Sequence, residues 1–491
     1  MARESMTLLQ NKNNILPLNT RLKKIAVIGP NAANEPMLWG NYNGTPVRTI
    51  SILNGLYSKL PANSVVYDKA CDLVENKVTL SYFSNTGIHG QKGFKATYWN
   101  NRERSGEPVT IVQMTNSFKI TTAGDHEFAS GVKLEGFSAK YETEFTAPAT
   151  EEIVFKSGAT GYFELLVNGQ SLSRYNNWRT LPSRIAYPVE KGKTYQIEIR
   201  YAQLNNWQAN LEFDFGKEVD IDFNNLIRKL KGIDIVIFAG GLSTQLEGEE
   251  MPVNYPGFKG GDRTDIQLPE VQRQCLQALK AAGKKVIFVN CSGSAIGLVP
   301  ETESCEAILQ AWYGGESGGQ AVADVLFGDY NPSGKLPVTF YKDTTQLADF
   351  EDYSMKGRTY RYMTTDPLFQ FGFGLSYTRF KIGEASLDKT KIKAGEELNL
   401  TAPVTNTGNR NGVEIVQVYI KKVNDPDGPV KTLRGYKRAA VEPGKTTVVT
   451  IPLNSSAFEF YDATQLKMAV TPGEYEIWYG NSSAITDLKM I

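Results

Sequence analysis

The sequence predicts a multidomain chain in which an α/β sandwich domain is interrupted by an all-β unit and followed by an immunoglobulin-like sandwich. Three observations predict it. Short apolar runs alternate with helical patterns in two separated blocks, residues 1–91 and 218–378. Between them, over 92–217, the hydrophobic period changes to two and the breaks are filled by Gly, Asn, Ser and Thr. From 379 to 491 the alternation returns as a series of short strands, the spacing of an immunoglobulin-like domain. A chain of 491 residues is also too long for one core, and ordinary domain size suggests roughly three domains.

In chain order, ESMTLLQ (Glu4 to Gln10) reads as a short amphipathic helix, and KIAVIGPNA (Lys24 to Ala32) as an apolar strand running into a Gly-Pro turn. In the inserted block, YFELLVNGQSL alternates through Phe163, Leu165 and Val167 before Asn168-Gly169, a hairpin signal. YQIEIRYA (Tyr195 to Ala202) alternates again. After residue 217 the α/β pattern resumes: FNNLIRKLKG is a helix with a terminal glycine, and DIVIFAGG is a buried strand. LPEVQRQCLQALKAAGKK is a helix opened by Pro269, with Val271, Cys275, Leu276 and Leu279 on one face. KVIFVNCSGS, AILQAWYGG and a helix around Gln320 to Phe327 complete it. Strands with intervening helices imply a largely parallel sheet covered on both faces. In the tail, LNLTAPVTNTG, VEIVQVYIKK and PGEYEIWYG are the strands of the sandwich.

Composition narrows the function classes. Basic and acidic residues both total 53, so no global charge favours nucleic acid or an anionic membrane surface. No apolar run reaches the roughly 18 residues that span a bilayer, and MARESMTLLQNKNN lacks the layout of a signal peptide. The expectation is a soluble chain that carries no address. Cys71, Cys275, Cys291 and Cys305 are scattered without a C-x-x-C pair, which predicts buried free thiols and no metal site. The two histidines, His89 and His126, fall at the edge of or within the β unit, which removes most triad and metal readings for the α/β domain. NCSGSA (Asn290 to Ala295) fails the G-x-S-x-G pattern and YGGESGG (Tyr313 to Gly319) fails both phosphate-loop patterns. Both read as tight turns at strand ends, and no cofactor is expected.

Carboxylates remain. The loop after DIVIFAGG carries Glu247, Glu249 and Glu250, followed by Asp262 and Arg263, and the loop at a strand's carboxyl end is where an open α/β sheet presents its chemistry. Glycoside hydrolysis needs one carboxyl group to protonate the leaving oxygen and a second as nucleophile or base. A glutamate serves as the donor when burial or a neighbouring carboxylate raises its pKa. Against this stands the plain reading of three solvated loop glutamates.

The motifs ARESMTLLQNKNNILPL, KIAVIGPNA, GNYNGTP, GLSTQLEGEE with GGDRTDIQLP, AWYGGESGGQAVADVLFGDYNPSGKLPVTFY and YRYMTTDPLFQFGFGLSYTRF together resemble the C-terminal part of glycoside hydrolase family 3, the β-glucosidases and β-xylosidases. The insert resembles the protective-antigen-type (PA-14) β-sandwich. VTNTGNRNGVEIVQVYI, LRGYKR and PGEYEIWYG resemble the family's fibronectin type III-like domain. The resemblance implies a retaining, exo-acting β-glycosidase acting on terminal sugars of oligosaccharides or on aryl glycosides. It places the acid/base glutamate on Glu249 first, with Glu247 the runner-up and Glu250 third, and gives Asp262 and Arg263 a loop-bracing role.

Family members normally begin with a (β/α)₈ barrel that supplies the nucleophilic aspartate. This chain starts at what resembles the helix after that barrel, so no nucleophile is assigned in it. The expectation is a C-terminal fragment, inactive alone, partnered by the barrel in cis or as a separate subunit. Any export signal would then lie upstream of Met1, in a parent periplasmic or secreted in a bacterium. The alternative from another class is a non-catalytic sugar-binding or scaffold protein using Tyr98, Trp99, Tyr175, Trp178 and Trp207 of the insert. Between sugars, the LEGEEM loop and GNYNGTP resemble bacterial β-xylosidase-type relatives more than β-glucosidases.

Overall fold

A computed structural model describes residues 1–22, 24–44, 46–122, 125–204, 208–248 and 253–491. The chain forms two compact units, one of residues 1–43, 49–75 and 222–491, the other of 44–48 and 76–221.

The first unit is built on a six-stranded sheet of β1 (Thr7–Asn11), β2 (Ile25–Ile28), β3 (Val65–Asp68), β4 (Ile235–Gly241), β5 (Lys285–Cys291) and β6 (Ala307–Gln310), in the order β1-β6-β5-β4-β2-β3. All neighbours are parallel except β1, which runs antiparallel along β6. The helices α1 (Ile52–Tyr57), α2 (Phe223–Lys229), α3 (Glu270–Ala281), α4 (Val299–Ser304) and α5 (Gly318–Leu326) follow strands β2, β3, β4, β5 and β6 in turn, with residues 76–221 of the second unit lying between β3 and α2 in sequence. The strand residues alternate between two buried faces. Ile25, Val27, Ile237, Ala239, Ile287 and Val289 join the cluster that includes α1 and α5. Ala26, Val236, Phe238, Val286 and Phe288 are buried too and point to the other face, where α3 packs its Val271, Cys275, Leu276 and Leu279. Each fully buried side chain of this size stabilises by about 1.5–3 kcal/mol relative to exposure, which explains why near-continuous apolar runs form the central strands.

The expected helix over Glu4–Gln10 is not formed. Only Ala2–Ser5 is helical, and Thr7–Asn11 is the edge strand β1, paired with β6 from Thr7↔Gln310 to Asn11↔Ala307. A short apolar run satisfies either period, and here Leu8 and Leu9 are buried by a sheet formed from the far end of the domain.

After the sheet domain, two four-stranded sheets pack over Leu398, Leu400, Val404, Val416, Val418 and Ile451. The ion pair Lys335–Glu414 (2.9 Å, both side chains nearly buried) and the amide of Asn331, which donates to the Asn411 carbonyl at 2.9 Å, join this sandwich to the α/β domain.

The second unit is an 11-stranded sheet around an aromatic core that includes Phe94, Tyr98, Phe118, Phe155, Phe163 and Phe213. Its longest hairpin, Glu151–Val167 with Gln170–Val189, closes Val167↔Gln170 over Asn168 and Gly169. Both turn residues have positive φ, 50° and 79°, as a two-residue type I′ turn requires. Strand Lys77–Ser81 pairs with Asn210–Asp220, so the folded unit already includes residues ahead of 92, where the alternating pattern starts in the sequence. Of the aromatics considered for sugar stacking, Tyr98 and Trp99 are buried, Tyr175 is half-buried, Trp178 is exposed, and Trp207 lies outside the described residues. All four cysteines are free and buried.

Candidate active site

The sheet places its own candidate. β2 leads to β3 on one side, and the chain then returns to the other side of β2 as β4. The winding reverses between β2 and β4, and in open α/β sheets the crevice outside the carboxyl ends at such a reversal is the usual ligand position. The two strand ends are tied together. The buried Asn31 amide donates to the carbonyls of Gly240 (3.1 Å) and Leu242 (2.8 Å), and the Gln272 side chain of α3 accepts from the Gly241 N–H and donates to its carbonyl, both at 2.8 Å. Gly29 (φ 107°) and Gly241 (φ 102°) lie so close to the neighbouring backbone that a Cβ would meet Ala239 O at 2.3 Å and Cys291 O at 2.2 Å.

Glu247 lies six residues beyond Gly241, on the loop after β4. Three donors converge on its half-buried carboxylate. The Gly293 N–H donates to Oε2 at 2.7 Å, the Tyr313 hydroxyl donates to the same oxygen, and the Ser294 hydroxyl donates to Oε1. Gly293 and Ser294 follow β5, and Tyr313 follows β6, so the loops after three adjacent strands meet on one carboxylate. The backbone is held as well: the Glu247 carbonyl accepts from the Asn41 amide at 2.9 Å, and its N–H donates to Ser243 O at 3.0 Å. Burial, with the Glu247 charge adding to it, pushes the Tyr313 phenol well above its ordinary value, so it remains a donor.

Behind this clamp, Ser292 Oγ donates to Ser294 O (2.8 Å) and accepts from the buried Gln310 amide (3.0 Å). The Arg263 guanidinium donates to the carbonyls of Asp265 (3.0 Å), Gln267 (3.0 Å) and Ala295 (3.4 Å) and to Ser294 Oγ (3.4 Å). Burial lowers the Arg263 pKa, opposed by the Glu247 and Asp265 carboxylates. Asp262 is exposed and pairs through its backbone with Lys259 in a small three-stranded sheet. Glu249 and Glu250 lie outside the described residues. Among the described residues no three His, Cys, Asp or Glu side chains are grouped to hold a metal ion.

Sequence reasoning singled out Glu247 and Arg263 but passed over Ser294, Tyr313, Asn31 and Gln272. The turns NCSGSA and YGGESGG were the available signal: the first ends the strand next to β4 and the second the strand beyond that, and each donates to Glu247.

Comparison with known proteins agrees with this architecture. The model of the glycosyl hydrolase family 3 C-terminal domain matches residues 6–377, and that of the fibronectin type III-like domain matches 414–483. The chain is 54% identical over 493 residues to a xylan 1,4-beta-xylosidase of Xylanibacter ruminicola, covering 100% of this chain and 57% of that protein. It is 36% identical over 294 residues to a beta-xylosidase of Formosa agariphila, covering 57% of this chain and 39% of that one. A solved β-glucosidase of Kluyveromyces marxianus shares the fold with a TM-score of 0.71 at 25% identity, covering 99% of this chain and 60% of that chain. The chain thus spans little more than half the length of the first of these relatives.

Proposed function

The chain belongs to glycosyl hydrolase family 3, as its C-terminal part, and from that premise we propose that it forms the acid/base half of a retaining, exo-acting β-glycosidase. The observation that carries this reading is the clamp on Glu247, which fixes the loop after β4 at the reversal point of the sheet. Glu249, two residues further on, is the group assigned to protonate the glycosidic oxygen as the aglycone leaves and then to take a proton from the attacking water. Three donors hold both oxygens of Glu247, which suits an anchor better than a group that must reach a substrate. The nucleophile is assigned to a part of the enzyme outside this chain. The substrate class is terminal β-xylosides, by the identity to the Xylanibacter protein, with β-glucosides the second choice. The β unit is assigned to the PA-14 type. A purely sugar-binding role for it draws only on Trp178 among the described aromatics named above, since Tyr98 and Trp99 are core and Tyr175 packs against that core, stacked on Phe163.

The test uses the enzyme in which this chain is joined to the family's N-terminal barrel. Glu249→Gln is expected to lose on the order of 10²–10⁴-fold in turnover of phenyl β-xyloside, whose leaving group needs a proton. It should keep most turnover of the dinitrophenyl analogue and yield xylosyl azide when azide is added. The chain by itself is expected to turn over neither substrate. Unchanged phenyl xyloside turnover in Glu249→Gln would remove the assignment.

A further inference from the structure

We propose that the cavity between residues 360–370 and the C-terminal sandwich is a binding site for a small oxyanion, the chemistry shared by the carboxylate of a sugar acid and inorganic phosphate. The site is independent of the acid/base assignment of Glu249. Its walls are fixed without a ligand. The Tyr360 ring stacks on Phe371, with centroids 4.1 Å apart and planes 15° apart, and its hydroxyl accepts from the Leu433 N–H at 3.1 Å. The Arg361 carbonyl accepts from the Val430 N–H at 2.7 Å, and the Phe371 carbonyl from the Ser483 N–H at 2.9 Å. Bounded by Tyr360 and Ser483 is a cavity of about 160 Å³, whose lining includes Lys431, Thr364, Thr365 and Gln370. One water needs about 10–15 Å³ of such space, so the cavity admits a larger guest. Walls already in place reduce the ordering cost of binding it.

Two groups on this lining have unmet needs. Ser483 is fully buried, and its Oγ makes no hydrogen bond among the described residues, an uncommon and costly state for a hydroxyl. Lys431 is half-buried and has neither a hydrogen bond nor an ion pair among the described residues. Burial alone lowers its pKa, with no carboxylate opposing it. Asp366 also lines the cavity, but it is exposed and exerts no pull on Lys431. The surroundings add positive charge. Arg434, three residues beyond Lys431, has a buried Nε without a partner. Its pKa is lowered by burial and then by the charge of Arg361, against the opposing effects of Tyr360 and Glu459. Lys431, Arg361 and Arg434 thus gather with no ion pair to a carboxylate among the described residues. An oxyanion would accept from the Lys431 ammonium and the Ser483 hydroxyl together and restore the charge balance that burial upsets. A neutral sugar would leave the ammonium unmatched.

The experiment is isothermal titration calorimetry on the full 491-residue chain with D-glucuronate, inorganic phosphate and, as the neutral control, D-xylose. Ionic strength is held constant so that general screening is equal in every arm. Saturable binding of glucuronate or phosphate at millimolar concentrations, with none of xylose, is the expected result. Tighter binding of glucuronate identifies a sugar acid as the source of the oxyanion, and tighter binding of phosphate identifies the inorganic ion. Lys431→Gln should weaken that binding about tenfold or more, and Ser483→Ala about two- to tenfold. No saturable heat from either anion overturns the proposal, as does xylose binding as well as the anions. Wild-type affinity in Lys431→Gln would place the bound anion elsewhere and overturn it too. Should Lys431→Gln not fold, Ser483→Ala decides: weakened binding supports the site, and wild-type affinity overturns it.

Discussion

Gly55 in α1 and Gly319 in α5 stand back to back with no room for a methyl group between them: a Cβ on Gly55 would lie 2.1 Å from Gly319 O, and one on Gly319 would lie 2.0 Å from Ser51 O. The pair closes the helix layer on one face of the sheet, and the loop before α5 carries Tyr313.

Replacing Gly319 by Ala should therefore force α1 and α5 apart and destabilise the domain by about 1–3 kcal/mol. Ala is otherwise the better helix former, so a stabilised variant in denaturant titration would contradict the close approach.

Glu301 and Arg273 form a buried pair beside the candidate site, with Nε–Oε1 at 2.8 Å and side chains 1% and 14% exposed. Arg273 also donates to Gln267 Oε1 at 2.9 Å. Burial pushes the Glu301 pKa up, and the Arg273 partner offsets this. Glu301→Ala leaves a cation without its partner, and a loss of about 3–5 kcal/mol is expected. Urea unfolding monitored by circular dichroism measures it; a loss under 1 kcal/mol would mean water replaces the carboxylate freely.

In the β unit, Arg184 and then Lys156 hold the Glu218 carboxyl down to about 2, against 4.5 for a free glutamate. A depressed carboxyl contributes stability that is full above 4.5 and is lost as pH falls toward 2. Glu218→Gln should melt at a lower temperature than wild type at pH 7, and the gap should close between pH 4.5 and pH 2. A gap that stays constant across this range would show that the ion pairs contribute nothing through ionisation.

The legible part of the fold was carried by local period. DIVIFAGG, KVIFVNC and the α3 face formed where their patterns placed them, and Asn168-Gly169 closed the hairpin it signalled. ESMTLLQ misled because seven residues with a short apolar run fit a helix turn and an edge strand equally well. Its strand partner, β6, lies about three hundred residues away. At the site, the carboxylate loop was legible because acidic residues crowd after a buried strand. The donors were not, because Ser and Tyr in glycine-rich turns carry no chemical signature of their own.

By itself the sequence determined the alternation of strand and helix, the change of period at the β unit, the family motifs and the carboxylate-bearing loop, all properties of residues near one another in the chain. Only the tertiary structure decided which turns face that loop. Ser294 and Tyr313 stand 47 and 66 residues from Glu247. They reach it because parallel pairing of β4, β5 and β6 puts their carboxyl ends side by side. Sheet order is set by the burial of whole faces against α1, α3 and α5, a cooperative property that no single stretch of sequence displays.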